Sequence, residues 1–289
     1  MTTLPLCPAC VSAVQPFTVK QGYNVYRCGR CRTLFIFPLP RNEKLAALYA
    51  KEYFFGGGTC GGYVNYDEDK KAMADDFRGI LAMLERSLGR RGRLLDVGAA
   101  TGYFVELALR AGWDARGIEI SKEAVAVARQ KGLPVAQGTL ASYAANTDAF
   151  DVVTLWDVIE HVPNPDADVT AAAQLLTAGG ILALITPRAD ALWARLMGKR
   201  WHLLNPPEHL ACYSRLGLST LLQRHGFSIE RIATPAKQFS LPYIAHIAAN
   251  WLPWMPLRSL ERLLARSFFR RLSFPLNFRD NMFVIAHKS

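Results

Sequence analysis

From Arg93 to about Thr234 the chain alternates between short apolar runs and helical stretches, and few folds satisfy that pattern. The apolar runs are Leu94–Val97, Ala115–Ile120, Phe150–Trp156 and Ile181–Thr186. The intervening stretches, Gly102–Ala111, Lys122–Lys131, Ala167–Leu176 and Leu216–His225, carry helical spacing of their apolar residues. Strands that read as continuous apolar runs are buried on both faces. Strand–helix–strand alternation therefore predicts a parallel sheet covered by helices on both sides. A last strand is expected at Met282–His287.

A second constraint lies near the N-terminus. Cys7-Pro8-Ala9-Cys10 is separated by 17 residues from Cys28-Gly29-Arg30-Cys31. Two C-x-x-C knuckles at this spacing can set four thiolates tetrahedrally around Zn²⁺, with Cys7, Cys10, Cys28 and Cys31 as ligands. A module of some forty residues has too little core to fold unaided, so the metal would supply much of its stability. Four sulfurs close the coordination shell, which makes the site structural. Strand-like runs flank the pairs at Phe17–Val19 and Leu34–Phe37, and the expected organisation is a zinc ribbon over 1–40. Cys60 and Cys212 are left as free thiols. A helical lead-in and lid follows over 41–90, with helices at 42–55 and 66–89 capped by Asn42 and Asp67. Gly56–Gly58 and Gly61–Gly62 between them precede Tyr63 and Tyr66, and this run serves either as a connector or as a hinge bringing Tyr63 over a ligand. The remaining 91–289 are expected to form the main α/β domain, with 238–280 inserted as a cap.

Leu94-Leu95-Asp96-Val97-Gly98-Ala99-Ala100-Thr101-Gly102 ends a strand and opens a helix. Gly98 permits a tight turn and Gly102 a close backbone approach to a ligand. Glu119 ends the next strand, 23 residues after Asp96, where a carboxylate can accept both hydroxyls of a ribose. Residue chemistry alone thus gives a nucleoside-cofactor fold, with a dinucleotide as the alternative ligand.

The motifs go further. Asp96-Val97-Gly98-Ala99-Ala100-Thr101-Gly102 resembles the first motif of class I S-adenosylmethionine-dependent methyltransferases, with Ala100 in place of the middle glycine. Gly117–Ser121, Phe150–Val162 and Leu176–Leu182 resemble that family's later motifs, in order, across residues 60–235, as does Pro206-Pro207-Glu208-His209-Leu210. The pattern is similar to zinc-ribbon-bearing relatives of the ubiquinone-type O-methyltransferases. The resemblance implies a Rossmann-like α/β methyltransferase sheet binding S-adenosylmethionine. Asp96, Gly98 and Gly102 then line its methionine end with Ala100 beside them, Glu119 holds its ribose, Gly138, Thr139 and Leu140 sit near its adenine, and Ile120 is a further cofactor contact. Trp156 and Asp157 close the far side.

Methyl transfer to oxygen also needs a proton removed, and His161 and His209 are the candidate bases. Asp157, Glu160 and His161 form an acid-x-x-acid-His cluster, which by the resemblance holds a divalent cation, Mg²⁺. The alternative is that Glu160 and His161 cap the next helix or brace their loop. Asn205-Pro206-Pro207-Glu208 lacks the aromatic fourth residue of amino-methylating enzymes and lies after the fifth strand, so exocyclic amine methylation is disfavoured; oxygen is the expected target, and His209 either lines the acceptor pocket or belongs to a surface turn. Carbon or nitrogen of a sugar or secondary metabolite, and RNA read by the basic ribbon, are the alternatives.

Net charge is +10, distributed as +4 over 1–40, −3 over 91–188 and +9 over 189–289. Basic flanks suit an anionic partner. Arg258, Arg262, Arg266 and Arg270 recur every fourth residue beside leucines and phenylalanines, either as a solvated helix face or as an interfacial helix meeting anionic lipid. A small-molecule or lipid-linked acceptor is expected, with nucleic acid disfavoured because the ribbon offers few aromatic–basic pairs. The longest apolar stretch, Leu241–Pro256, is interrupted by His246, Asn250 and three prolines and is too short to span a bilayer. The expected location is the cytoplasm, with peripheral contact at the inner membrane face.

Overall fold

The computed structural model describes residues 4–41, 43–45, 74–144, 149–234, 238–240, 273–275 and 278–289. Tyr63, the glycine run, Cys60, the caps Asn42 and Asp67 and the arginine stripe lie outside the described residues.

The alternating pattern becomes a seven-stranded sheet. Its elements are α1 (Ala74–Leu88), β4 (Arg93–Val97), α2 (Tyr103–Arg110), β5 (Asp114–Glu119), α3 (Lys122–Gln130), β6 (Val135–Gln137), α4 (Leu140–Ala144), β7 (Phe150–Trp156), α5 (Pro165–Leu175), β8 (Leu176–Pro187), α6 (Leu192–Met197), α7 (Arg215–Arg224), β10 (Phe227–Ala233) and β13 (Asn281–Lys288). Strand order is β10-β13-β8-β7-β4-β5-β6. Strands β8, β7, β4, β5 and β6 pair in parallel, whereas β13 runs antiparallel to both its neighbours. Side chains alternate between the two faces as the strand period requires. Val152, Ile181, Ala183, Ile185, Phe283 and Ile285 face α1, α2 and α3. Val153, Leu155, Leu182, Leu184, Met282 and Val284 face α4, α5 and α7. Both faces are dry, which explains why these strands read as unbroken apolar runs.

The N-terminal segment folds as β1 (Val14–Lys20), β2 (Tyr23–Cys28) and β3 (Leu34–Ile36), all antiparallel. A fourth strand completes this sheet from far along the chain. It is β9, Ala211–Cys212, paired as Leu34↔Cys212 and Phe35↔Ala211. The ribbon cysteines share a buried cluster with Tyr213, Leu218 and Leu222, so the ribbon packs on the α4–α5–α7 face. A short antiparallel pair joins β11 (Gln238–Ser240) to β12 (Ser273–Pro275).

Helix starts follow local chemistry. Ser121, Asn164 and Ser214 each accept a backbone N–H of the first turn of α3, α5 and α7. Pro165 occupies the first turn of α5, where no N–H is needed. Among the described residues no helix is long and apolar enough to cross a membrane.

Candidate active site

The C-terminal rim of the parallel strands gathers the candidate residues, as open α/β sheets require. After β4 the chain turns through Gly98 at φ 70°, Ala100 at φ 48° and Gly102 at φ 81°. Gly98 and Ala99 N–H both donate to Ile118 O, at 2.9 and 3.0 Å, which ties the turn to β5. A Cβ at Gly98 would lie 2.6 Å from Val158 Cγ2, so the glycine turn rests on the loop after β7. At Gly102 a side chain is excluded by packing as well. Its Cβ would meet Leu133 Cδ1 at 2.7 Å, so the absent side chain makes room for the α3–β6 connection. Gly117 is similar: a Cβ there would meet Ala99 at 2.6 Å.

Asp96 is buried and accepts from Thr154 Oγ1 of β7 at 2.7 Å. Glu119 is also buried and accepts from two backbone amides, Ala100 N at 3.0 Å and Ser121 N at 2.9 Å. The Ala100 bond helps hold this non-glycine residue in the left-handed region. Burial raises the Glu119 carboxyl above the usual carboxylate range, and the amide donors partly oppose that rise. Each carboxylate oxygen has a second lone pair to offer a hydroxyl. Ile120, next along, leaves an exposed apolar side chain at the rim, 46% accessible. Thr139 and Ser142 exchange backbone and hydroxyl bonds at the start of α4, while Leu140 is buried in the core. Trp156 packs among Phe77, Phe104 and Phe283, with centroids 5.1–6.3 Å away. Its Nε1 is buried and lacks a hydrogen-bond partner among the described residues.

Beyond β7, Asp157 takes φ 53° and donates its N–H to Ile185 O at 2.9 Å. Glu160 is fully buried and accepts from Thr186 Oγ1 of β8 at 2.9 Å. Its carbonyl accepts Leu210 and Ala211 N–H, at 2.8 and 3.1 Å. The His161 and His209 rings meet edge to face with centroids 4.8 Å apart, although 48 positions separate them. His161 Nδ1 faces Glu208 O at 2.7 Å and His209 Nδ1 faces Leu203 O at 2.5 Å. A carbonyl only accepts, so each ring carries its proton on Nδ1 and presents Nε2 as the lone-pair nitrogen. Burial lowers the His161 pKa to about 3; His209 adds to the depression, and Glu208 O and Asp157 oppose it. The structure thus joins the two candidate bases, and it shows Glu160 and His161 bracing the loop as well.

Glu160, His161 and His209 place one ligand atom each within 4.8 Å of one another. This grouping replaces Asp157 with His209 relative to the acid-x-x-acid-His cluster expected from sequence. One carboxylate and two imidazoles suit a borderline transition-metal ion and do not match the all-oxygen shell that Mg²⁺ takes.

The four ribbon cysteines are buried, with all four sulfurs within 4.8 Å. Cys7 and Cys31 Sγ lie 3.6 Å apart and Cys10 and Cys28 Sγ 3.4 Å, and Cys31 N–H donates to Cys28 Sγ at 3.4 Å. The hydrogen bond with Cys7 holds Cys31 down at about 5, with Thr33 assisting, and pushes Cys7 up. A closed, buried four-thiolate set of this kind fits Zn²⁺ and leaves no open coordination position.

A glycine turn after the first parallel strand, a buried carboxylate ending the second and this strand order together define the nucleoside-binding methyltransferase class. A family profile described as "Methyltransferase domain" matches residues 67–232, which is 166 of the 289 residues. The chain belongs to that family and is an S-adenosylmethionine-dependent methyltransferase. Among curated proteins it is 40% identical over 106 residues to the ubiquinone biosynthesis O-methyltransferase of Photorhabdus laumondii, covering 34% of this chain and 44% of that one. It is 35% identical over 130 residues to the Proteus mirabilis enzyme of the same name, covering 42% and 53%. The matched region therefore spans about half the length of those relatives. Among solved structures, the magnesium protoporphyrin IX methyltransferase of Synechocystis shares the fold, with TM-score 0.51, 18% identity and coverage of 79% of this chain and 90% of that one. A methyltransferase from Archaeoglobus fulgidus gives TM-score 0.50 at 19% identity, covering 73% and 94%.

Proposed function

We propose that this enzyme transfers the methyl group of S-adenosylmethionine to an oxygen of a small-molecule or lipid-linked acceptor. The observation that carries this is the His161–His209 pair, set beside Glu160 at the rim next to the cofactor turn. The sulfonium methyl is already activated, so the protein positions the nucleophile and takes its proton. Charge on one imidazole this close opposes charge on the other, which helps keep His161 neutral. His161, held neutral by burial, orients the acceptor hydroxyl; His209 is the base. The ubiquinone O-methyltransferase relatives favour oxygen over carbon or nitrogen.

Glu119 holds the ribose with its remaining lone pairs, and Ile120 covers the adenine side together with the Gly138–Leu140 backbone. Asp96, Gly98, Ala100 and Gly102 border the methionine moiety, while Trp156 closes the pocket through its indole N–H. If a cation assists, Glu160, His161 and His209 hold it, and it would polarise the acceptor oxygen; their chemistry favours an imidazole-binding ion over Mg²⁺. The zinc ribbon over 1–40, the lead-in over 41–90 and the catalytic domain over 91–289 are the functional parts. The +9 charge of 189–289 supports a cytoplasmic enzyme touching an anionic membrane face, which flotation with anionic vesicles tests.

The test is incubation of the protein with methyl-labelled S-adenosylmethionine and a cell extract, followed by fractionation. Label in the organic or small-molecule fraction, lost in His209→Gln, supports the proposal. Label in RNA refutes it.

A further inference from the structure

We infer that the zinc ribbon is a working part of the acceptor side: metal held by Cys7, Cys10, Cys28 and Cys31 sets the position of His209. Lys20, Gln21, Thr33 and Ser214 act as positioning residues between them. The turnover consequence rests on the reading of His209 as the base; the structural coupling does not.

The segment from Trp201 to Ser214 is held between two surfaces. On one side the Leu210 and Ala211 amides donate to Glu160 O. On the other Ile36 N–H donates to Leu210 O at 3.0 Å, and β9 pairs with β3. The residue just before this doubly bonded stretch is His209. Its start is fixed as well. Buried Trp201 donates Nε1–H to Asp280 Oδ2 at 2.9 Å, and its carbonyl accepts from Lys20 Nζ at 2.8 Å. Gln21 Nε2 donates to Asn205 Oδ1 at 3.1 Å. Lys20 and Gln21 form the tip of the β1–β2 hairpin, so one end of the ribbon grips the loop that carries His209.

The other end grips it through the cysteine cluster. Ser214 Oγ donates to Cys31 O, and Ser214 N–H reaches Thr33 Oγ1 at 3.5 Å. Thr33 Oγ1 lies 3.2 Å from Cys31 Sγ. Ser214 also caps α7, and a Cβ at Gly217 would lie 2.1 Å from Thr33 Oγ1 and 3.2 Å from Cys31 Sγ. The first turn of α7, with its partial positive charge, is therefore pressed onto a cluster that carries net negative charge when four thiolates bind Zn²⁺. Loss of the metal leaves buried thiolates to repel or protonate, and the cluster must expand. Thr33, Ser214 and β3 move with it, and β9 follows.

The test reads the histidine itself, in the full chain, by two-bond proton–nitrogen spectra of the imidazole side chains, with His209 assigned from His209→Gln. With zinc bound, His209 shows the single Nδ1–H tautomer fixed by Leu203 O. A chelator could also strip a cation from the histidines, so the ribbon is emptied by Cys10→Ser and zinc content is measured directly. The expected result is loss of that single-tautomer signature, with His287 unmoved and the S-adenosylhomocysteine dissociation constant unchanged. Gly217→Ala, outside both ribbon and loop, should lower zinc retention and move the His209 signal together. Lys20→Met keeps all four cysteines and should disturb His209 with zinc still bound. A His209 signature that stays intact in zinc-free Cys10→Ser overturns the inference. If Cys10→Ser does not fold, an unmoved signal in folded Lys20→Met and Gly217→Ala overturns it equally. Turnover should fall roughly 10²-fold where His209 shifts by about 1 Å; a shifted signal with full turnover would instead refute the role of His209 as base.

Discussion

Substituting Gly98 by alanine tests how closely the cofactor turn is fitted to the loop after β7. Two costs arise. The first is conformational, because φ is 70° and a left-handed alanine costs about 1 kcal/mol. The second is steric. The new Cβ would sit 2.6 Å from Val158 Cγ2, whereas carbon atoms prefer about 3.5–4.0 Å, so Val158 must retreat by about 1 Å. Overpacking of this kind costs about 1–3 kcal/mol. Gly132 supplies the control, since it has φ 74° and nothing within 4 Å of its would-be Cβ. Gly132→Ala should cost about 1 kcal/mol and lower Tm by roughly 3 °C. Gly98→Ala should cost about 3 kcal/mol in all and lower Tm by roughly 10 °C. Val158 also lies between Asp157 and the Glu160–His161 turn, so Gly98→Ala should weaken cofactor binding in calorimetry, and Gly132→Ala should not. Equal Tm losses for the two variants, or an unchanged cofactor affinity in Gly98→Ala, would refute the fitted contact.

Glu119→Gln turns one acceptor oxygen into a donor facing a backbone N–H, and calorimetry should show S-adenosylmethionine affinity falling roughly 10–100-fold; unchanged affinity would remove Glu119 from the ribose site. His161 has its folded pKa lowered from 6.5 to about 3, so the unfolded chain binds the proton more readily and stability is lost as pH falls below 6.5. Between pH 7 and pH 5 this loss is at most about 2 kcal/mol, an upper limit because part of the ring stays accessible; urea titrations of wild type and His161→Gln should differ by that slope, and parallel curves would contradict it. Thr186→Val removes the donor to buried Glu160 while keeping the strand's shape, and urea unfolding should show a loss of about 1–3 kcal/mol; a neutral result would mean that Thr186 does not hold the carboxylate.

Much of this was legible in the sequence because periodicity and spacing report local structure. The parallel strands read as unbroken apolar runs since both sheet faces are dry, and the cysteine pairs announce their cluster by spacing alone. The place of Glu119 at the end of β5 was legible from its distance after Asp96. What could not be read were contacts made by residues without a pattern. Ala211–Cys212 is too short to show alternation, yet it completes the ribbon sheet. His161 and His209 come together because Leu210 and Ala211 hydrogen-bond back to Glu160 O, a backbone contact that leaves no mark on side-chain composition. The packing of Gly102 against Leu133 could not be read either, because a missing Cβ makes room equally for a ligand or for a neighbouring side chain. The strand Phe227–Ala233 was not anticipated: its mixed burial on the sheet's edge weakens both the apolar run and the alternation that betray a strand.

Two of the buried rim carboxylates, Asp96 and Glu160, share one structural device. Asp96 ends β4 and accepts from Thr154 of the neighbouring β7, while Glu160 follows β7 and accepts from Thr186 of the neighbouring β8. A buried carboxylate needs a fixed donor or its charge is lost to protonation. Threonine is suited to supply one from a parallel strand, because its β-branch favours the extended backbone and its hydroxyl reaches across the strand spacing. Each strand thus orients the acid presented by the one before it, and the order β4-β7-β8 carries fixed geometry from the cofactor turn towards the histidine pair. Val158 against Gly98 closes the same path by packing. Among the described residues the sheet thus fixes these side chains against one another, and the Trp201–Leu210 loop takes further support from outside it, at Lys20, Gln21 and Ile36. The ribbon supplies that support.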